Sequence, residues 1–175
     1  MELIRIDLIP NSKIHELSEV LLDATQWMNR NDSIELNGQW NPEGLTEKNL
    51  LKDYGNDEIY IAYQASNSSS NNLVGGVVIQ QLDPVYWPEE TGDDSAYLHK
   101  LAIMSDYHGR GIAEKIVQHV IARSRELGKT YLRLDCRANR PKLCQFYERL
   151  GFKPVSIFQA GAQQEIRAQL FEMKL

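Results

Sequence analysis

A mixed α/β fold, with a central sheet and helices on both its faces, is what this sequence predicts. Three observations carry the prediction. Short alternating or β-branched runs recur along the chain, separated by longer segments with helical spacing. In the middle, a strand, an amphipathic helix and a second strand follow one another, and such a βαβ unit makes two strands parallel. The remaining strands are joined by polar loops, as antiparallel hairpins are.

The elements follow in order. Residues 2–8, ELIRIDL, alternate as a first strand, broken by Pro10, Asn11 and Ser12. A helix fits 13–29, with Ile14, Leu17, Leu21 and Ala24 as its buried stripe and Val20 and Leu22 beside it. Ser12 is expected to cap it, and the polar run 29–32 to form a loop. A second helix over 46–53 has Thr46 as its cap. Residues 58–65 and 73–82 are strands, joined by the polar run 66–72 as a mobile hairpin loop. The segment 83–94, with Pro84, Pro88 and several acids, is a second long loop.

The second half is more regular. Residues 95–103 form a strand and 109–127 a helix, which buries Ile112, Ile116, Val117, Val120, Ile121 and Leu127 and ends at Gly128. Residues 130–136 form a strand, 141–150 a short helix closed by Gly151, and 152–158 with 169–174 a closing hairpin.

Composition narrows the function. The chain has 175 residues, enough for one domain with one core, and no shift in composition marks a boundary, so a single domain over 1–175 is expected. It is 42% hydrophobic and carries a net charge of -5 with no long basic run, which disfavours general nucleic-acid binding. No apolar run is long enough to span a membrane, and MELIRIDLIP lacks the apolar core of a secretory signal, so a cytoplasmic protein is expected. Cys136 and Cys144 form neither a CxxC pair nor a disulfide ladder and read as two reduced thiols; Cys144, three residues before Tyr147, could line a pocket. No metal site is expected.

The most informative segment is Tyr107-His108-Gly109-Arg110-Gly111-Ile112-Ala113, between a strand and a helix. The first turn of a helix has N–H groups without intrahelical partners, and they favour an anion. Small residues at 109, 111 and 113 let a phosphate approach the backbone, and Arg110 adds charge, as His108 does when protonated. The segment lacks the Gly-Lys-Ser/Thr of nucleotide P-loops and the spacing and position of a dinucleotide turn. Alone, such a turn can also be a packing feature.

With this segment the sequence resembles the GCN5-related N-acetyltransferase superfamily, in particular its small bacterial members. The family's phosphate signature (Gln or Arg, two residues, Gly, one residue, Gly or Ala) maps to His108, Gly111 and Ala113. Residues 97–103 match its central strand, and Phe146-Tyr147-Glu148-Arg149-Leu150-Gly151-Phe152 matches a second hallmark. The match covers about residues 73–158; Trp27 and Gln39-Trp40 are similar to one bacterial subgroup. His108 departs from the usual Gln or Arg, and Arg140, with Asn139 before it, stands where the family often has Asn.

The resemblance implies acetyl-CoA as cosubstrate. Two parallel strands splay, and the pantetheine arm pairs with the central strand around Leu101, Ala102 and Ile103; the pyrophosphate meets the amides from Gly109 through Arg110, Gly111 and Ile112 to Ala113. Asn139 and Arg140 belong to the same binding set. The acceptor amine attacks directly in a ternary complex, the Leu101 N–H is the oxyanion donor, and Tyr147 protonates the leaving thiolate. His99 is a candidate base, with Asp135, Glu35 and water as rivals; His15 and His119 read as helix-surface or packing residues.

The acceptor is expected to be a small-molecule primary amine. Trp27, Trp40, Tyr86 and Trp87 could line its pocket or pack as lids, and Glu35, Asp83, Glu89, Glu90, Asp93 and Asp94 could favour a cation or serve solubility. A protein or peptide acceptor, another acyl group, a non-catalytic acetyl-CoA sensor and a generic α/β domain are the rivals. No nucleic acid or membrane partner is expected; a homodimer through the C-terminal strand is preferred.

Overall fold

The computed structural model describes residues 3–31, 40–65, 72–90, 92–161 and 166–175. Glu35, Gln39 and most of the expected 66–72 loop lie outside them.

Strand β1 (Ile4–Leu8) leads into one 3-10 turn, Asn11–Lys13, closed by the Lys13 N–H donating to Pro10 O. Ser12 lies inside that turn and does not cap the helix as expected. Helix α1 (Ile14–Asn31) runs two residues past its predicted end. Asn29, Arg30 and Asn31 are exposed, so their polarity costs nothing there, and Asn31 Nδ2 turns back to donate to Trp27 O at 2.8 Å. Helix α2 (Glu47–Tyr54) begins as predicted, with Thr46 Oγ1 accepting the Asn49 N–H at 3.4 Å. Strands β2 (Glu58–Gln64), β3 (Asn72–Gln80) and β4 (Ser95–Ile103) follow, then helix α3 (Ile112–Glu126), strand β5 (Tyr131–Arg137), helix α4 (Pro141–Arg149) and strands β6 (Lys153–Ala160) and β7 (Ile166–Lys174).

The strands are hydrogen-bonded in the order β1-β2-β3-β4-β5-β7-β6. β4 and β5 are parallel, as the βαβ pattern requires; β1–β2, β5–β7 and β6–β7 are antiparallel. The C-terminal strand β7 has a neighbour on each side, so it offers no free edge for dimerisation. That edge belongs to β6.

The chain packs as two compact units, one of Met1–Val78 with Lys100–His119, the other of Ile79–His99 with Val120–Leu175. In the first, α1 lays Leu17, Val20 and Leu21 against Leu50 and Tyr54 of α2 and Ile59 and Ile61 of β2. Each such side chain contributes about 1.5–3 kcal/mol on burial. The close approach of α1 needs Gly76, where a Cβ would lie 3.1 Å from Leu17 Cδ1 and 3.0 Å from Ile61 Cδ1.

In the second unit, Arg133 is buried and fully engaged. Its Nε donates to Glu172 at 2.7 Å, Nη1 reaches Glu90 at 3.0 Å, and the guanidinium lies over the Trp87 and Tyr131 rings. Two helix C-termini in this unit are closed in the same way. After α3, Gly128 at φ 71° lets its N–H reach Arg125 O while the Lys129 N–H reaches Ser124 O. After α4, Gly151 at φ 99° does the same for Glu148 O, and the Phe152 N–H reaches Tyr147 O. Both glycines stand where the sequence predicted.

Candidate active site

The glycine turn belongs to the first unit. Gly109 and Gly111 both have positive φ, 75° and 71°, so they precede the helix; α3 starts at Ile112 rather than at the predicted 109. Left-handed residues on either side of Arg110 curl the backbone, and successive N–H groups in such a curl favour an anion. The turn is open: a Cβ on Gly109 would meet nothing within 4 Å.

α1 fixes the chain just ahead of this turn. Asp23 accepts the Ser105 N–H at 2.6 Å and the Ser105 hydroxyl at 3.1 Å. One helical turn on, Trp27 meets the His108 ring edge-on at 4.7 Å. His108 itself is folded back, with Nε2 3.0 Å from Ile103 O. A carbonyl only accepts, so Nε2 carries the proton, and in the neutral ring Nδ1 is left as an acceptor. Arg110 Nη2 donates to Asp106 O at 2.9 Å and lies over the Tyr107 ring. On β4, Lys100 has φ 54°, a left-handed residue within a strand, with its ammonium over Trp40. Leu101 and Ile103 are half-buried and Ala102 is buried.

The second unit gathers the titratable groups. The parallel ladder between β4 and β5 runs from Ser95↔Tyr131 to Leu98↔Leu134. Just past its last pair stand His99 and Asp135. His99 Nε2 is 3.1 Å from Asp83 Oδ2, with the ring turned off the ideal hydrogen-bond line, and His99 Nδ1 is 4.0 Å from Asp135 Oδ1. Asp83 begins the loop after β3, where its Oδ1 accepts the Val85 and Tyr86 N–H groups at 3.1 and 3.0 Å. That turn follows from an Asp-Pro sequence, because aspartate bonds the backbone two and three residues on. Its side chain is only 5% exposed. Burial alone raises its pKa, but the His99 ring and the two N–H groups outweigh that and hold the carboxyl below its ordinary value. Burial first, then the Asp135 and Asp83 charges, push the Tyr86 phenol up to about 12.

Asp83, His99 and Asp135 offer ligand atoms within 4.8 Å of one another. No metal was expected from the sequence, yet one imidazole and two carboxylates are a donor set that suits a cation.

Tyr147 is buried on α4, its ring against Phe146, Phe152 and Phe171. Burial, then the neighbouring Cys136, Asp135 and Cys144, raise its pKa well above that of a free phenol. It is therefore a neutral hydroxyl at any ordinary pH.

Other expectations sort out plainly. Trp27 is a helix residue held against His108 and not a loop aromatic, whereas Trp87 lies in the loop after β3 and packs onto Tyr97 and Leu170, as a lid does. Tyr86 pairs edge-on with Phe158. Among the loop acids, Glu90 is spent on Arg133 and Asp93 on Lys129, while Asp94 and Glu89 are exposed; Asp83 alone faces His99. His119 packs on Tyr60, and His15 lies on the exposed face of α1. Asn139 is exposed, and Arg140 precedes α4 with its charge near Cys136.

A fold of this strand order, with a glycine turn opening its central helix, defines an acyltransferase architecture, and comparison with known proteins bears this out. The model of the acetyltransferase (GNAT) family matches residues 21–152, and the chain belongs to that family. It is 32% identical over 90 residues to the uncharacterized N-acetyltransferase YesJ of Bacillus subtilis (strain 168), a match that spans half of each chain. An acetyltransferase of the GNAT family from Listeria monocytogenes 4b F2365 superposes with a TM-score of 0.76 at 15% identity, covering 100% of both chains. The Salmonella typhimurium protein yncA, solved with its cofactor acetyl-CoA, gives a TM-score of 0.69 at 11% identity over 98% of this chain and 93% of its own. At such identities the likeness is one of fold.

Proposed function

We propose that this protein transfers the acetyl group of acetyl-CoA to a primary amine of a small molecule, by direct attack in a ternary complex. The observation that carries the reading lies in the second unit: an imidazole, His99, flanked by two carboxylates, on the same unit as a tyrosine kept protonated by burial. An imidazole can take a proton and a phenol can give one, as acyl transfer from a thioester to an amine needs. In this reading His99 takes a proton from the acceptor nitrogen and Tyr147 gives one to the leaving sulfur.

The first unit supports the donor half. The amides of residues 109–113 fit a pyrophosphate: the turn is open, its two glycines curl the N–H groups one way, and Arg110 stands within it. His108 Nε2 is taken up by Ile103 O, so in this reading affinity rests on backbone and Arg110, with Leu101, Ala102 and Ile103 assigned to the pantetheine amides and the Leu101 N–H to the oxyanion. Asn139 and Arg140 complete the proposed binding set.

Calorimetric titration with acetyl-CoA tests this directly. Binding that is lost in Gly111→Glu and weakened in Arg110→Ala supports the donor site. With a turned-over amine, Tyr147→Phe should cut kcat by about a hundredfold while leaving acetyl-CoA affinity intact. A folded protein that fails to bind acetyl-CoA would overturn the acetyltransferase reading.

A further inference from the structure

We propose that Cys136 and Cys144 form a reversible redox pair, in which a hydroperoxide converts the two thiols to a disulfide that ties α4 to β5. The inference goes beyond the acetyltransferase reading and does not depend on it.

The chain has two cysteines, and folding brings both to one place in the second unit. Cys136 stands near the end of β5, and Cys144 closes the first turn of α4, where its N–H donates to Arg140 O at 3.1 Å. The two are eight residues apart in sequence, yet their sulfurs lie 3.6 Å apart and already touch. A disulfide bond is about 2.0 Å long, so the sulfurs have about 1.5 Å to close. Only the short turn between β5 and α4 separates them along the chain, so closure is a local event.

The hydrogens are ordered. Cys144 Sγ approaches Arg137 O at 3.9 Å, and a carbonyl only accepts, so the Cys144 thiol hydrogen points there. Cys136 is then the donor between the two sulfurs. Burial first, then the neighbouring Cys144, raise the Cys136 pKa and keep that hydrogen in place; the Asp135 charge adds to this, and the Arg140 charge opposes it. Exposure divides the roles. Cys144 is half-buried and Cys136 is buried, so an oxidant from solvent meets Cys144 first.

The electrons balance in two steps. Hydrogen peroxide transfers one oxygen to Cys144 Sγ, giving a sulfenic acid and one water as the O–O bond breaks. Cys136 Sγ then attacks the oxidised sulfur, the S–S bond forms, and the hydroxyl leaves with the Cys136 proton as a second water. Two thiols are oxidised by two electrons and one peroxide is reduced. Because Cys136 is already in contact, this second step outruns further oxidation of Cys144. Tyr147 lies three residues beyond Cys144 on the same face of α4, and both thiols act on its phenol. The link therefore forms beside the residue read above as the acid.

The test treats the native full chain with a small excess of hydrogen peroxide at pH 8, then denatures and alkylates it. Peptide masses should show Cys136 joined to Cys144 with the loss of two hydrogens and of alkylation at both positions, all restored by dithiothreitol. Hydrogen exchange across α4 should slow roughly tenfold or more in the oxidised form. In Cys136→Ala the same treatment should carry Cys144 on to sulfinic acid, whereas in Cys144→Ala the buried Cys136 should stay reduced. The measurement on the parent chain stands whether or not either variant folds. Two thiols that remain fully alkylatable overturn the proposal. So does a link found only between two molecules, or sulfinic acid at Cys144 forming as fast in the parent as in Cys136→Ala.

Discussion

Cys136 Sγ and Cys144 Sγ lie 3.6 Å apart, one on β5 and one on α4. Both thiols are free, but they are unlike. Cys136 is buried, and burial with the neighbouring Cys144 pushes its pKa far above that of an ordinary thiol. Since the thiolate is the reactive form, iodoacetamide at pH 8 should label Cys144 in the native protein and reach Cys136 only after denaturation. Mass spectrometry of the labelled peptides decides this, and equal rates at both positions would refute it.

Asp23 joins α1 to the segment ahead of the glycine turn through both oxygens. Asp23→Ala should destabilise the protein by about 1–3 kcal/mol, because the Ser105 N–H loses its acceptor. It should also weaken acetyl-CoA binding in calorimetry, since the turn then loses its anchor. Ser105→Ala gives up only the hydroxyl bond and should be milder on both counts. An unchanged acetyl-CoA affinity in Asp23→Ala would show that the turn holds itself.

Stability should fall on the alkaline side. Tyr86 titrates at about 12 in the folded chain and at about 10 when unfolded. Between those values the unfolded chain holds fewer protons, so the stability present below pH 10 is lost as pH rises through 12. Tyr147 and Tyr63, also raised, act in the same direction. Urea midpoints from pH 9 to 12 should decline, and more shallowly in Tyr86→Phe.

Gly75 packs β3 against β4 within the first unit. A Cβ there would lie 2.9 Å from Ala102 O and from Ile103 Cδ1. The carbonyl is backbone and cannot swing aside, so Gly75→Ala should cost about 1–3 kcal/mol and lower the melting temperature accordingly. A melting temperature within error of the parent would contradict the close approach.

What the sequence made legible was whatever rests on local chemistry. Thr46 caps α2, and Gly128 and Gly151 close α3 and α4, because caps depend on a few neighbouring residues. Gly109 misled the helix start, since periodicity cannot tell a left-handed glycine from a first helical residue. Asn29 to Asn31 misled the end of α1, because an exposed polar turn and a loop look alike in composition. At the candidate site His99 was legible by its place on the central strand. Asp83 was not singled out from the other loop acids, since its partner is sixteen residues away and only folding buries it; the Asp-Pro pair was the one local signal.

The C-terminal cap of α4 has a further consequence. The carbonyl that receives the Phe152 N–H is that of Tyr147 itself, and the rings of the two residues pack at 5.8 Å. The phenol is thereby tied to the helix terminus and not merely to the helix. One residue inserted between Tyr147 and Gly151 would pass the cap to the carbonyl of the next residue and turn the Tyr147 ring by about 100° relative to it. An insertion in β6, with neighbours on one side only, could be absorbed as a bulge. Length variation in this region should therefore be permitted after the glycine and forbidden before it.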